Sequence, residues 1–205
     1  MRIGVLGTGT VGQTLSSSLA ALGHEVVMGS RTSPPATFAE AASFGELVLN
    51  CTAGVQSLDA LRMAGAESLS GKVVVDVANP LDFSQGFPPQ LSVPEGDSLA
   101  EQIQRELPRS RVVKALNTVT ASVMVDPGRL TEPTDLFIAG DDEAAKEDVK
   151  ALLSELGWAP GRVRDLGGLE SARVIERYLL LWLALMGVMG TAEFNVRVVG
   201  VDTTP

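Results

Sequence analysis

The chain has almost none of the side chains on which enzymes most often build nucleophilic or metal chemistry. Among 205 residues there is one cysteine, Cys51, and one histidine, His24. A single thiol cannot form an internal disulfide, and it fits a reducing compartment, so a cytoplasmic location is expected. With one Cys and one His, neither a zinc site nor a Cys/His nucleophile pair is expected. Basic residues are also short, 16 against 25 acidic ones, for a formal charge of −9. That balance argues against nucleic acid or an anionic membrane as partner. No apolar run reaches the roughly 20 residues that a bilayer requires. The apolar pattern begins at residue 2, which leaves no stretch for a signal peptide.

What the chain does have is concentrated in its first 32 residues. Arg2 to Leu6 form a short apolar run, followed at once by Gly7-Thr8-Gly9-Thr10-Val11-Gly12. A helical pattern then runs from about Val11 to Leu22 and closes at Gly23. A second apolar run, Val26-Val27-Met28, leads into Gly29-Ser30-Arg31-Thr32. This is the opening βαβ unit of a dinucleotide-binding fold. Gly7 permits the sharp turn off the strand, Gly9 lets a pyrophosphate lie against backbone, and Gly12 lets the helix pack closely on the strand. The unpaired N–H groups of the first helical turn complete an anion site. Val11, Leu15, Leu19 and Leu22 share the helix face that covers the sheet.

The end of the second strand indicates which dinucleotide. An NAD site places an acidic residue about 20 residues past the glycines, and no Asp or Glu stands between Val26 and Ala39. Ser30, Arg31 and Thr32 occupy the position. A guanidinium flanked by hydroxyls suits the 2′-phosphate of NADP(H).

Further strands are expected at 46–51, 72–77, 111–116, 135–139 and 162–166. Helices are expected at 37–44, 57–64, 98–107 (opened by a Ser98/Glu101 capping box), 141–156 and 171–190. The fold class is therefore α/β: a Rossmann-type, doubly wound, mostly parallel sheet over 1–168 with a small C-terminal helical segment over 169–205. Ligands sit outside the carboxyl ends of such strands. This directs attention to Thr52-Ala53-Gly54, Ala78-Asn79-Pro80 and Asn117-Thr118-Val119. Asp76 is either a hydrogen-bonded strand-end group or part of the site. Cys51 reads as a small buried thiol and His24, at the opposite end, as structural. Residues 81–97, rich in Pro and Gly and without period, read as a long loop placed to face substrate. The last helix is apolar almost all round from Leu179, so it is either buried against its own sheet or forms a dimer interface.

The opening Met1-Arg2-Ile3-Gly4-Val5-Leu6-Gly7-Thr8-Gly9, with Gly29-Ser30-Arg31, resembles the NADPH-dependent reductases of the deazaflavin coenzyme F420. So do Lys114-Ala115-Leu116-Asn117-Thr118-Val119, Gly140-Asp141-Asp142-Glu143 and Leu166-Gly167-Gly168-Leu169-Glu170-Ser171-Ala172-Arg173. The resemblance implies an oxidoreductase that moves a hydride between NADPH and coenzyme F420, and a homodimer. It implies that Gly7, Thr8, Gly9, Thr10, Val11 and Gly12 hold the pyrophosphate, and that Ser30, Arg31 and Thr32 hold the 2′-phosphate. Thr52, Ala53, Ala78, Asn79 and Pro80 would lie by the nicotinamide, and Asn117, Thr118 and Val119 would face the deazaflavin. No side chain is assigned a catalytic role, because hydride transfer between two stacked rings needs positioning above all.

Two departures stand out. The helix and edge strand that usually follow the Ser-Arg element are absent, with only residues 33–37 between Thr32 and Phe38, which leaves strand 2 as the expected sheet edge. Asn117 replaces the histidine found in some relatives. Two rivals follow: an NADPH-dependent reductase of a flavin, imine or carbonyl compound, for which Lys114 or Asp76 would be the proton donor, and a non-catalytic NADPH-sensing module.

Overall fold

A computed structural model describes residues 1–32 and 34–200. Ser33, in the short connection after Thr32, and the last five residues of the C-terminal segment lie outside the described part. Strands β1 (Arg2–Leu6), β2 (Glu25–Ser30), β4 (Leu47–Asn50), β5 (Val73–Asp76) and β8 (Arg111–Lys114) run parallel at the centre of the sheet. These strands are apolar runs because helices cover both faces. β9 (Leu136–Gly140) joins β8 antiparallel, and β10 (Val163–Asp165) extends the edge. The eight-stranded order is β10-β9-β8-β5-β4-β1-β2-β3, with β3 at Ala36–Thr37. The order therefore reverses between β1 and β4, and a crevice opens there at the carboxyl ends.

The expected sheet edge is corrected by a two-residue strand, β3 (Ala36–Thr37), which pairs parallel with β2 through Gly29 and Ser30. Two residues carry no period, so the pattern gave no sign of it. A Cβ on Gly29 would lie 2.6 Å from the Thr37 carbonyl oxygen and 2.8 Å from Ala41 Cβ. That close approach lets so short a connection fold back.

Two apolar layers flank the sheet. On one face Ile3, Val5, Leu49, Val75 and Val113 pack on α1 (Thr10–Ala21), α6 (Ala121–Val125) and α7 (Glu143–Glu155), with Trp158 filling the end. On the other, Leu6, Val48, Val74 and Val112 pack on α2 (Phe38–Phe44), α3 (Ser57–Ala64), α4 (Ala66–Leu69) and α5 (Leu99–Glu106). α8 (Ala172–Met189) starts in this second layer through Ala172. Of the box expected at Ser98 and Glu101 the Ser98 half forms, its Oγ accepting from the Glu101 N–H; the reciprocal box lies instead on α2, between Thr37 and Glu40, and Asp142 caps α7.

Residues 81–97 are not wholly a loop. β6 (Leu81–Asp82) and β7 (Gln90–Leu91) form a small antiparallel hairpin, pinned by Ser92 N–H donating to the Pro80 carbonyl at 2.8 Å. α8 buries a single stripe, Ala172, Ile175, Glu176, Leu179 and Leu183, and leaves Val174, Leu180, Leu181, Val188 and Met189 exposed. Its apolar circumference is thus only partly covered within one chain. No helix among the described residues is long and apolar enough to cross a membrane.

Candidate functional site

The glycine turn has the geometry that its spacing implies. Gly7 adopts φ +114°, and a Cβ there would meet the Cys51 carbonyl oxygen at 2.7 Å, so the turn lies directly on the end of β4. A Cβ on Gly12 would press on the Gly7 carbonyl, 3.1 Å from its carbon, and reach Val5 Cγ1 at 3.5 Å. Gly12 therefore seats α1 on β1. Gly9, in extended conformation at the helix start, would carry its Cβ into open space with no atom within 4 Å. α1 has no side-chain cap and no acidic residue in its first turn. Its first N–H groups have no intrahelical acceptors, and with the positive end of the helix dipole they present an anion site to that open space.

The space belongs to a cleft of about 360 Å³ lined by Gly7, Thr8, Gly9, Ser30, Arg31 and Thr32 on one side, and by Phe38, Cys51, Thr52, Ala53, Gln56 and Ala60 on the other. Arg31 is exposed at its rim, and among the described residues no carboxylate pairs with it. The Thr32 N–H donates to Ser30 Oγ at 3.3 Å, and the Ser30 hydroxyl donates back to the Thr32 carbonyl, which fixes the turn that presents the guanidinium. A dinucleotide 2′-phosphate fits this rim, and a pyrophosphate fits Gly9. Phe38 and Gln56 were missed in the sequence. Phe38 stands in the helix expected over 37–44 and was given no role, and Gln56 lies in a one-turn 3-10 helix, Gly54–Gln56, that leaves no periodic trace.

A second cleft of about 370 Å³ shares Cys51, Thr52 and Ala53 with the first and continues over Val11, Gly54, Val77, Ala78, Asn79, Leu81, Asp82 and Phe83. Its lining is mainly small and apolar. A Cβ on Gly54 would come within 2.7 Å of Pro80 Cα, so the 52–54 and 78–80 loops touch backbone to backbone. Burial, reinforced by the Asp76 carboxylate, pushes the Cys51 thiol above its ordinary range, which opposes a thiolate there.

Of the remaining predicted site residues, Thr10 is exposed at the start of α1 and lines neither cleft, and the others stand behind these walls. Pro80 is buried and serves as a carbonyl acceptor for Ser92. Asn117, Thr118 and Val119 are buried. Asn117 Nδ2 donates to Asn79 Oδ1 and Asn79 Nδ2 to the Asn117 carbonyl, each at 3.0 Å. Thus Asn117 buttresses Asn79. Leu116, just before it, adopts φ +65°, a left-handed conformation that costs a β-strand-like residue of order 1 kcal/mol. Asn117 Oδ1 and Thr118 Oγ1 are buried without a partner.

Beneath the second cleft lies a charge cluster. Asn50, Asp76 and Lys114 are register partners at the ends of β4, β5 and β8. Lys114 Nζ donates to Asp76 Oδ2 at 2.7 Å and to the Ala78 carbonyl at 2.6 Å, and pairs with Glu176 Oε1 of α8 at 3.0 Å. All three charged side chains are fully buried. Burial opposes the lysine's charge, but the attraction of Asp76 and then Glu176 outweighs it and holds its pKa above the ordinary value. With its three protons engaged and no wall of either cleft formed by it, Lys114 is not a proton donor to a bound acceptor. Among the described residues no group of His, Cys, Asp and Glu could hold a metal ion.

Comparison with known proteins finds F420-dependent NADP reductases and, at 26–29% identity, metalloreductases. A family model described as "NADP oxidoreductase coenzyme F420-dependent" matches residues 2–80. The F420-dependent NADP reductase of Methanothermobacter marburgensis is 34% identical over 214 aligned positions, covering 90% of this chain and 92% of that protein. The alignment is longer than this chain's 205 residues, so that relative carries inserted residues. The F420-dependent NADP reductase of Methanocaldococcus jannaschii is 33% identical over 149 residues, 71% of this chain and 64% of that protein. The crystal structure of a protein from Arthrobacter sp. FB24, described as a candidate F420-dependent NADP reductase, superposes with a TM-score of 0.93 at 48% identity, covering 98% of this chain and all of that one.

Proposed function

The chain belongs to the family of F420-dependent NADP reductases, and from that membership we propose that it transfers a hydride between NADPH and the deazaflavin coenzyme F420. The observation that carries this reading is the pair of contiguous clefts joined at Thr52 and Ala53. One has a phosphate-binding character at Gly9 and Arg31; the other is mainly apolar. When bound, NADPH supplies the hydride and the deazaflavin ring, with one proton from solvent, accepts it.

The protein's own contribution is placement. The α1 amides and Gly9 hold the pyrophosphate, with Gly7, Thr8, Thr10, Val11 and Gly12 shaping the turn, and Ser30, Arg31 and Thr32 select the 2′-phosphate. Thr52, Ala53, Ala78 and Asn79 wall the nicotinamide, with Pro80 bracing that loop. Their small side chains let two flat rings approach, and the apolar lining around Val77 and Leu81 excludes water. Asn117, Thr118 and Val119 shape the acceptor side from behind Asn79. Residues 1–168 would form the NADP-binding unit, and the described part of the C-terminal segment, 169–200, lines neither cleft and would provide the dimer contact. The exposed apolar stripe of α8 supports a homodimer, and the lone cysteine supports the cytoplasm.

The test is spectrophotometric. Mixed with NADPH and coenzyme F420, the protein is expected to bleach the oxidised deazaflavin, and to do so far more slowly with NADH. No bleaching alongside measurable NADPH binding would pass the role to another acceptor. Light scattering should give twice the 21.5 kDa chain mass, falling to one chain mass in Leu181→Asp; a monomeric wild-type protein would refute the dimer.

A further inference from the structure

The charge cluster under the second cleft has a feature that simple core packing does not need. Both backbone polar groups of Ala78 are held by one buried ion pair. Lys114 Nζ donates to the Ala78 carbonyl at 2.6 Å, and the Ala78 N–H donates to Asp76 Oδ1 at 3.2 Å. The same Asp76 oxygen accepts from Asn50 Nδ2 at 2.9 Å. Asn50 Oδ1 in turn accepts from the Thr52 hydroxyl at 2.7 Å, and that hydroxyl meets Ser57 Oγ at 2.8 Å. One continuous network thus connects the two loops that wall the second cleft, Thr52–Gly54 and Ala78–Pro80. On its far side Glu176 Oε2 and Oε1 accept from the Leu99 and Ala100 N–H groups at 2.9 and 3.2 Å, so the second carboxylate is neutralised by the start of α5.

A buried ion cluster is a poor way to gain stability, since well-packed apolar residues of the same volume do as well. It is a good way to fix orientation, because each partner has one satisfied geometry in a medium of low polarity. We infer that Lys114, with Asp76, is a positioning residue for the nicotinamide-side wall: clamping Ala78 from both sides, the pair sets the spacing of the 52–54 and 78–80 loops. The inference rests on the NADPH reading above.

The test compares two ligands of the wild-type protein and its variants by calorimetric titration: NADPH, and 2′-phospho-ADP-ribose, which lacks the nicotinamide. Lys114→Met alone leaves two buried anions and is expected to fold poorly. The double variant Asp76→Asn, Lys114→Met removes one charge of each sign and keeps an acceptor for Asn50 and the Ala78 N–H. It is expected to lose about tenfold in NADPH affinity, ~1.4 kcal/mol or one good hydrogen bond, while its affinity for 2′-phospho-ADP-ribose stays unchanged. Trp158→Phe, a core change remote from both clefts, should lower the melting temperature and leave both affinities alone. Should the double variant not fold, the NADPH-to-fragment affinity ratio of Asp76→Asn carries the same test, and a fall in that ratio is expected. Equal losses for the two ligands, or none for either, would overturn the inference. A wild-type protein that binds neither ligand would overturn the NADPH reading and this inference with it.

Discussion

One methyl group, placed at two positions three residues apart, separates the structural glycine of the turn from the ligand-facing one. At Gly9 the added Cβ meets no atom within 4 Å. The backbone there has φ −74° and ψ −179°, which alanine adopts freely. The folded state loses a little because alanine is a weak N-cap, and the unfolded state loses about 0.4–1 kcal/mol of entropy. These effects oppose each other, so the melting temperature of Gly9→Ala should stay within roughly 3 °C of wild type. The methyl stands where a pyrophosphate would approach the α1 amides. Pushing an anion off one or two charge-assisted bonds costs about 2–4 kcal/mol, or roughly 30- to 1,000-fold in NADPH affinity.

Gly12→Ala should behave differently. Its Cβ presses on the Gly7 backbone, which has no flexible end to swing aside. Helix α1 must lift from β1, an overpacking cost of about 1–3 kcal/mol, or roughly 2–12 °C in a domain of this size. NADPH binding falls with it because the amides move. The assays are thermal denaturation and NADPH fluorescence titration on both variants. If Gly9→Ala bound NADPH as tightly as wild type, the dinucleotide would not lie against Gly9. If it melted as early as Gly12→Ala, the space above Gly9 would not be open.

Three further outcomes are expected. Arg31→Ala should weaken NADPH binding about 10- to 100-fold, the worth of a charged hydrogen bond or two, and leave NADH unchanged; a parallel loss for NADH in the same titration would show that Arg31 does not read the 2′-phosphate. Trp158→Phe leaves the buried Met124 carbonyl without its 3.0 Å donor and should cost about 1–3 kcal/mol in a urea melt, an undiminished midpoint being the contrary result. The Arg105 guanidinium, with Gln102, holds the Asp97 carboxyl down to about 2 from its ordinary 3.8; the stability this gives is complete above pH 4 and is lost as pH falls from about 4 to about 2. The pair is partly solvent-exposed and screened, so Asp97→Asn should flatten the acid limb only slightly, and a steeper limb in the variant would reverse the sign of the argument.

The central strands were legible because parallel strands covered on both faces cannot be anything but apolar runs, as at 47–50 and 73–76. The glycine turn was legible because glycines at fixed spacing do separate mechanical jobs: Gly7 takes the positive φ off the strand, Gly12 seats α1 on β1, and Gly9 leaves open space at the helix start. Elements too short to express a period were not legible. β3 and the 81–82/90–91 hairpin have two-residue strands, and α6 has five residues with no side-chain cap. Asn117 shows the other limit. It follows the end of β8, where ligand contacts are expected, yet the positive φ of Leu116 turns it behind Asn79. A strand end shows where a side chain starts and not which way the next peptide turns it.

The charge cluster could be read from sequence only in part, and the missing part explains how the site works. Asn50, Asp76 and Lys114 each close an apolar strand, so parallel register alone brings them side by side. Nothing in that register identifies Glu176, which arrives on α8 from far along the chain. Without Glu176, Lys114 reads as a proton donor, as the carbonyl-reductase alternative requires. With it, the ammonium has three acceptors and faces the core. Hydride transfer between two rings asks for a wall that is apolar, dry and fixed, with no proton donor of its own. Apolar side chains alone make such a wall dry but leave its loop backbones free to shift. Here Lys114, Asp76 and Glu176 sit one layer below, where the pair of Lys114 and Asp76 holds the peptide groups of Ala78, and none of the three lines the cleft. On the proposed reading this cluster would act on the nicotinamide side through backbone geometry, whereas Arg31 would meet the 2′-phosphate directly.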